Sequence, residues 1–351
     1  MSFARRYLSL AAALVASGVL LVVPAAGKKA VAAPVSAAIA WPHAQREALA
    51  ADLADGTAYE PGLFLTAHES VGTAQSKDSK SLRLLLRHRN GSVRLLRSVP
   101  IRDNPSFDGL TAVDATTVVW LESGKAGRAL WIAGAGPPRK LTTDLGDVRF
   151  YQSQYDVVVA EGRIHWVAAA GDDTEVRSIA LTGGPVDTVG EPGAWALSAW
   201  PWLHNGVAAA AGATLLRNLR TGQDTKVKAA DRAVTACSPA WCQSVSFDRD
   251  GYPKIEIFRP DGRERRKIAD GTAATVIPDA AVLDRFEIFS QITANSELTG
   301  NVQLLAYDLT TRSTVEISPD AGQVTYRNGV LAWTTGSQDS FVRHALDLRT
   351  V

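Results

Sequence analysis

The chain has 351 residues, 46% of them apolar and 21% charged, with 37 Lys and Arg against 36 Asp and Glu. That composition is too apolar for a disordered chain, and a net charge of +1 gives no electrostatic basis for nucleic-acid binding. Two cysteines are too few for a disulfide-dense scaffold or a four-thiolate zinc site.

At the N-terminus, Arg5 and Arg6 precede an uncharged run, Leu8–Val23, and then small residues around Ala30–Pro34. This is the layout of a secretory signal peptide over residues 1–33. The apolar run is shorter than the ~20 residues of a spanning helix. An uncleaved anchor is the alternative, because Lys28 and Lys29 follow the run, and it would be the one attachment to a membrane. Arg5-Arg6 also fits a twin-arginine signal. Without residues 1–33 the chain carries 33 basic and 36 acidic residues, a net of −3. The expectation is a secreted or envelope-associated monomer, with a linker at 34–44 and one domain over 45–351.

Beyond residue 60, short apolar runs alternate with turn residues, as in an all-β chain. Hairpin-like units recur at 82–96, 129–141, 177–189, 215–227, 255–268 and 304–317. Their turns centre on Gly91, Gly136, Gly183, Gly222, Gly262 and Thr311, at intervals of 45, 47, 39, 40 and 49 residues. Trp120 and Trp166 mark matching positions before two of these hairpins, and Trp333 marks the same position before an incomplete seventh copy at 343–351, which assigns all three to the core. A period of 40–50 residues with four short strands per repeat is the signature of a β-propeller. Repeats near 62–100, 107–143, 150–190, 194–228, 233–270, 274–318 and 322–351 make seven blades, with six or eight as alternatives. The last repeat ends one strand short. Gln45–Leu53 resembles the outer strand Arg139–Leu145 and is expected to supply the missing strand. Its Ala and Leu content also suits a short helix.

The pattern resembles the TolB-like propellers with PD40-type repeats, over about residues 45–351. The Ser-Pro-Asp-Gly turn of those repeats survives as echoes at Ser76–Ser79, Arg259–Gly262 and Ser318–Ala321. The cast is also similar to actinobacterial secreted propeller proteins. TolB itself carries an N-terminal α/β domain for which this chain has no room, so TolB's role in an envelope assembly is not implied.

Cys237 and Cys242 flank Ser-Pro-Ala-Trp, a spacing that suits the two arms of a tight turn. A disulfide is expected, with two unpaired buried thiols as the alternative. No catalytic, phosphate-binding or metal motif is present, so no catalytic residue, metal or cofactor is assigned. Ser246–Gly251 resembles a sialidase Asp-box with the wrong spacing, and reads better as a hairpin turn.

The recognition candidates are two stretches. Trp195–Asn205 holds three Trp in eight residues, and Trp200, Trp202 and His204 suit gripping a sugar or peptide, although bulky residues of this kind also pack between blades. Phe150–Asp156 precedes an inner-strand run, which would put Tyr151, Gln154 and Asp156 at the channel. The leading expectation is a non-catalytic binding module for an extracellular protein, peptide or carbohydrate. The rival is a glycan-active hydrolase or lyase, which would need Asp156, Glu297 and His204 to converge at the channel mouth. Glu297 sits in Thr293–Gly300, which reads as a solvent loop.

Overall fold

Short strands punctuated by Asn, Asp and Gly turns build an all-β chain. The turns share one device. The side chains of Asn90, Asp114, Asn218, Asp261 and Asp308 each accept the backbone N–H two residues on, at 2.7–3.0 Å. Asp248 accepts in the same way from Asp250 (2.9 Å), so the Asp-box-like stretch is a hairpin turn.

The computed structural model describes residues 33–207, 210–337 and 340–351. The expected leader falls almost wholly outside them. No described helix is long and apolar enough to cross a membrane. The chain divides into Met1–Val35 and Ser36–Val351, and the second unit holds every element below.

Five antiparallel sheets follow one another along the chain. The first pairs Glu60–Phe64, Ser70–Gln75, Ser81–Arg87 and Val93–Pro100 in sequence order. The second uses Ser106–Ala112, Val118–Gly124, Gly127–Ala133 and Arg139–Thr142. The third uses Arg163–Ala170, Asp173–Ala180 and Asp187–Glu191, with Asp147–Val148 and Val157–Ala160 both lying on Arg163–Ala170. The fourth runs from Ala196–Leu197 to Asp224–Lys226, and the fifth from Val234–Cys237 to Arg266–Ala269.

A final sheet joins two four-stranded sets through one long strand, Ser313–Arg327. The first half of that strand pairs with Val302–Asp308, which continues to Phe286–Gln291 and Ala273–Thr275. Its second half pairs with Val330–Ser337, then Ser340–Asp347. Arg46–Leu49 completes that last set, in register from Arg46 against Leu346 to Leu49 against Arg343. The stretch is thus a strand, and its helical content is overridden by this pairing. Residues read as a linker also pack: Ala37–Ala40 is a short helix, and Trp41 meets the Phe286 ring edge-on at 5.3 Å.

Buried apolar clusters join consecutive sets. Trp120 lies with Leu63 and Leu84 between the first and second sets. Trp166 lies with Leu121 and Ile132 between the second and third. Trp333 and Phe286 join the last two. A further cluster of Leu49, Phe64, Val330 and Ala345 packs the last set on the first. The recurring Trp is therefore the filler of an inter-sheet layer, as its repeat position predicts.

Cys237 and Cys242 face each other across adjacent strands and form a disulfide. The loop it closes is short, so the bond contributes about 2 kcal/mol. Replacing both cysteines by serine is expected to lower the melting temperature by only a few degrees. A variant that no longer folds would show a larger role for this bond than chain entropy allows.

Candidate functional site

Two inner strands are irregular, and their irregular segments meet. In the third set, Asp147–Val148 pairs with Ala168 and Ala169, and the chain then leaves the sheet before Val157–Ala160 resumes pairing at Trp166. The excursion, 149–156, is held by its own acid: Asp156 accepts the Tyr151 N–H at 2.8 Å. In the sixth set, Ala273–Thr275 is followed by the segment 276–285. Glu287, fully buried, accepts the Ala281 N–H of that segment at 2.8 Å. Asp279 then ties the two segments together, accepting Ser153 Oγ at 2.6 Å and the Gln154 N–H at 3.3 Å.

This bridge separates two cavities that share Pro278 as a wall. One, of about 270 Å³, is lined by Tyr151, Ser153, Tyr155, Ser198, His204, Thr235, Ser238 and Asp279, with Val234 among its lining residues. The other, of about 300 Å³, is lined by Gln152, Tyr326, Arg327 and the Pro61–Phe64 strand. Gly212 is required beside the first cavity. Its φ is +73°, and a Cβ there would lie 2.0 Å from the Thr235 carbonyl oxygen.

The charges are arranged around the bridge. Burial pushes the Asp156 carboxyl up to about 6, although the Tyr151 N–H and the Arg327 charge oppose the shift. Burial also raises Asp279, against the hydrogen bonds from Ser153 and Gln154. Glu287 is pushed up to about 8, mainly by burial and further by the charge of Asp279, so at neutral pH it is largely protonated. Arg327 is lowered by burial while Asp156 and Asp279 hold its charge, and it donates to the Leu110 carbonyl at 3.2 Å. His204 is held down to about 4 by burial, so its ring is neutral. Its Nδ1 accepts the Gly206 N–H at 3.2 Å, which leaves the ring proton on Nε2.

The sequence candidates divide accordingly. Tyr151 and His204 line the same cavity, Gln154 reaches it through its backbone, and Asp156 braces it from behind. Trp200 and Trp202 lie elsewhere. Trp200 is half-buried in the apolar layer between the third and fourth sets, stacked on His165 at 3.6 Å. Trp202 packs against Leu216, Cys237 and Phe258, between the fourth and fifth. Trp200 precedes the strand that Trp202 begins, and the two pack in different inter-sheet layers, so they do not form one platform. Glu297 is exposed on a short helix, Ser296–Thr299, and does not line either cavity. The three groups required for glycan cleavage therefore do not converge. Asp279 and Glu287 are not legible in the sequence, because neither belongs to a catalytic or metal-binding motif. The one available signal was Pro278-Asp279 breaking an inner-strand pattern.

No protein-family model and no curated protein matches the chain. Solved structures do. An oligogalacturonate lyase determined in complex with manganese superposes with a TM-score of 0.53 at 9% identity, covering 87% of this chain and 96% of that one. An uncharacterised protein from Listeria monocytogenes gives 0.52 at 10% identity, covering 78% of this chain and 88% of that one. The β-propeller domain of the Trilobed protease from Pyrococcus furiosus gives 0.48 at 11% identity, covering 80% and 89%. At these identities the first two likenesses establish a shared fold and nothing about chemistry.

Proposed function

We propose that residues 45–351 form a seven-bladed β-propeller closed by Arg46–Leu49, exported by the 1–33 leader, and that it is a non-catalytic binding module. In this reading each of the five separate sheets is a blade, and the final sheet supplies two more that share Ser313–Arg327. The cluster of Leu49, Phe64 and Val330 supports closure, since it packs the last set on the first.

The observation that carries the binding role is the cavity beside the Ser153–Asp279 bridge. It has the features of a recognition site: a largely apolar wall and a few fixed polar groups. Its partner is an extracellular protein, peptide or carbohydrate that inserts one group there. The protein acts as a monomer, without metal or cofactor.

The test uses a rim residue. Val234 is 53% exposed and lines the cavity, so Val234→Arg fills the opening without touching the core. The full chain and this variant are screened on glycan and peptide arrays. Ligands captured by the wild type should bind the variant at least about tenfold more weakly. Equal capture by both would move the site to the outer loops.

A further inference from the structure

The chemistry of this cavity narrows the partner, an inference that rests on the binding role proposed above. The serine and threonine hydroxyls around it are spent or enclosed. Ser153 Oγ donates to Asp279 at 2.6 Å and accepts the Tyr155 N–H at 3.1 Å. Ser238 Oγ donates to the Trp241 carbonyl at 3.2 Å and accepts the Trp241 N–H at 3.1 Å. The hydroxyl oxygens of Ser198 and Thr235 are shut off from solvent. Asp279 already accepts from Ser153 and Gln154. The wall that remains is mostly apolar: Val234, Ala236, Pro278 and Ala280, with the rings of Tyr151 and Tyr155. A sugar ring here would give up the water on its hydroxyls with few partners in exchange. An apolar group has no such loss and gains by burial.

Outside the cavity the unpaired charge is of one sign. Tyr151, 37% exposed, is also a wall of a neighbouring groove of about 350 Å³, lined by Arg149, Asp172, Asp173 and Trp195. Asp172 and Asp173 are exposed at the turn that follows Arg163–Ala170. Asp173 spends one oxygen on the Gly193 N–H at 2.8 Å. Among the described residues, the one lysine or arginine that lines either space is Arg149, and it is already paired with Asp147. The two aspartates of the turn are therefore left without a cation. Exposed carboxylates attract a cationic group without the desolvation that a buried pair costs. An amphiphile with an acidic head is disfavoured by the same sign.

The size agrees. About 270 Å³ corresponds to the liquid volume of about nine waters, room for one leucine- or phenylalanine-sized side chain. The neutral His204 keeps its Nε2–H donor, which suits a backbone carbonyl beside that side chain. We infer that the cavity holds one aromatic or long aliphatic side chain of an extended peptide, and that the neighbouring groove holds a lysine or arginine of the same peptide on Asp172 and Asp173. The peptide backbone then crosses Tyr151, the residue common to both walls.

The experiment titrates the full chain with acetylated, amidated peptides, followed by saturation-transfer NMR. Their cores, set between glycines, are Lys-Phe-Lys, Lys-Leu-Lys, Lys-Ala-Lys and Glu-Phe-Glu. Lys-Phe-Lys or Lys-Leu-Lys should bind, and Lys-Ala-Lys and Glu-Phe-Glu should each bind at least about tenfold more weakly. Val234→Arg should abolish the binding. Asp172→Lys, at an exposed turn, should weaken the lysine peptides by about three- to tenfold and strengthen Glu-Phe-Glu, and high salt should narrow that gap. Array peptides that Val234→Arg loses should show the same pairing of an apolar with a basic residue. Equal binding of Lys-Ala-Lys overturns the apolar occupant of the cavity. Preference for Glu-Phe-Glu, or lysine peptides untouched by Asp172→Lys, overturns the role of the groove. If no peptide binds while array glycans are lost on Val234→Arg, the peptide inference falls and the cavity remains the site. If Val234→Arg changes nothing on peptides or arrays, both readings fall.

Discussion

Replacing Glu287 by glutamine is expected to flatten the alkaline side of the stability profile. The Glu287 carboxyl is fully buried and its folded value is about 8, against an ordinary 4.5. A group with a raised folded value contributes its full stability below 4.5, and that contribution is lost as pH rises through about 8. The two values correspond to a cost of about 5 kcal/mol once the group is ionised in the folded state. Asp156 adds a slope of the same sign between 3.8 and about 6. His165 and His204 act oppositely: their values fall from 6.5 to about 4, so they reduce stability as pH drops through that window. The wild type should therefore be most stable in mildly acidic solution. Glutamine keeps the oxygen that accepts from Ala281 and never ionises. Glu287→Gln should match the wild type near pH 4.5 and exceed it increasingly up to pH 9, by up to about 5 kcal/mol. Denaturant midpoints across that range would show this, and parallel curves for the two proteins would refute it.

Removing the N-terminal strand should cost more than any single core substitution. A chain beginning at residue 51 lacks Trp41 and Arg46–Leu49. Trp41 and Leu49 are each under 10% exposed, and burial of two such side chains is worth about 3–6 kcal/mol. The ladder to Ser340–Asp347 goes with them, as does the bond from Asp347 N–H to the Gln45 carbonyl at 2.9 Å. Its loss exposes a bare strand edge that invites association. We expect the truncated chain to unfold at much lower temperature and to elute as aggregates in size-exclusion chromatography. Leu49→Ala, which keeps the strand, should cost about 2–5 kcal/mol and remain monomeric. A truncated monomer melting with the full chain would mean that the strand contributes nothing to closure.

The cavity, unlike the sheets, was only half visible beforehand. Tyr151 is marked by its place before an inner strand and His204 by its place in the Trp-rich stretch, and both line it. Trp200 and Trp202 stood out more strongly and pack between sheets instead. Aromatic residues serve both packing and recognition, and only the neighbours tell the two apart. Nothing local marked Asp279, which gains its role from Ser153, 126 residues earlier in the chain.

What the sequence determined by itself was what repeats. Period, turn chemistry and the recurrent Trp are local, because every set but the last folds on near neighbours and each Asn or Asp turn bonds its own backbone. The cross-strand disulfide belongs here too, its two cysteines being five residues apart. The tertiary structure alone decided what depends on distant segments meeting: Arg46–Leu49 becoming a strand on Ser340–Asp347, and residues 149–156 closing on 276–285 around a buried acid. Those contacts join residues more than a hundred positions apart, and their energy lies in burial and desolvation, which no window of sequence contains.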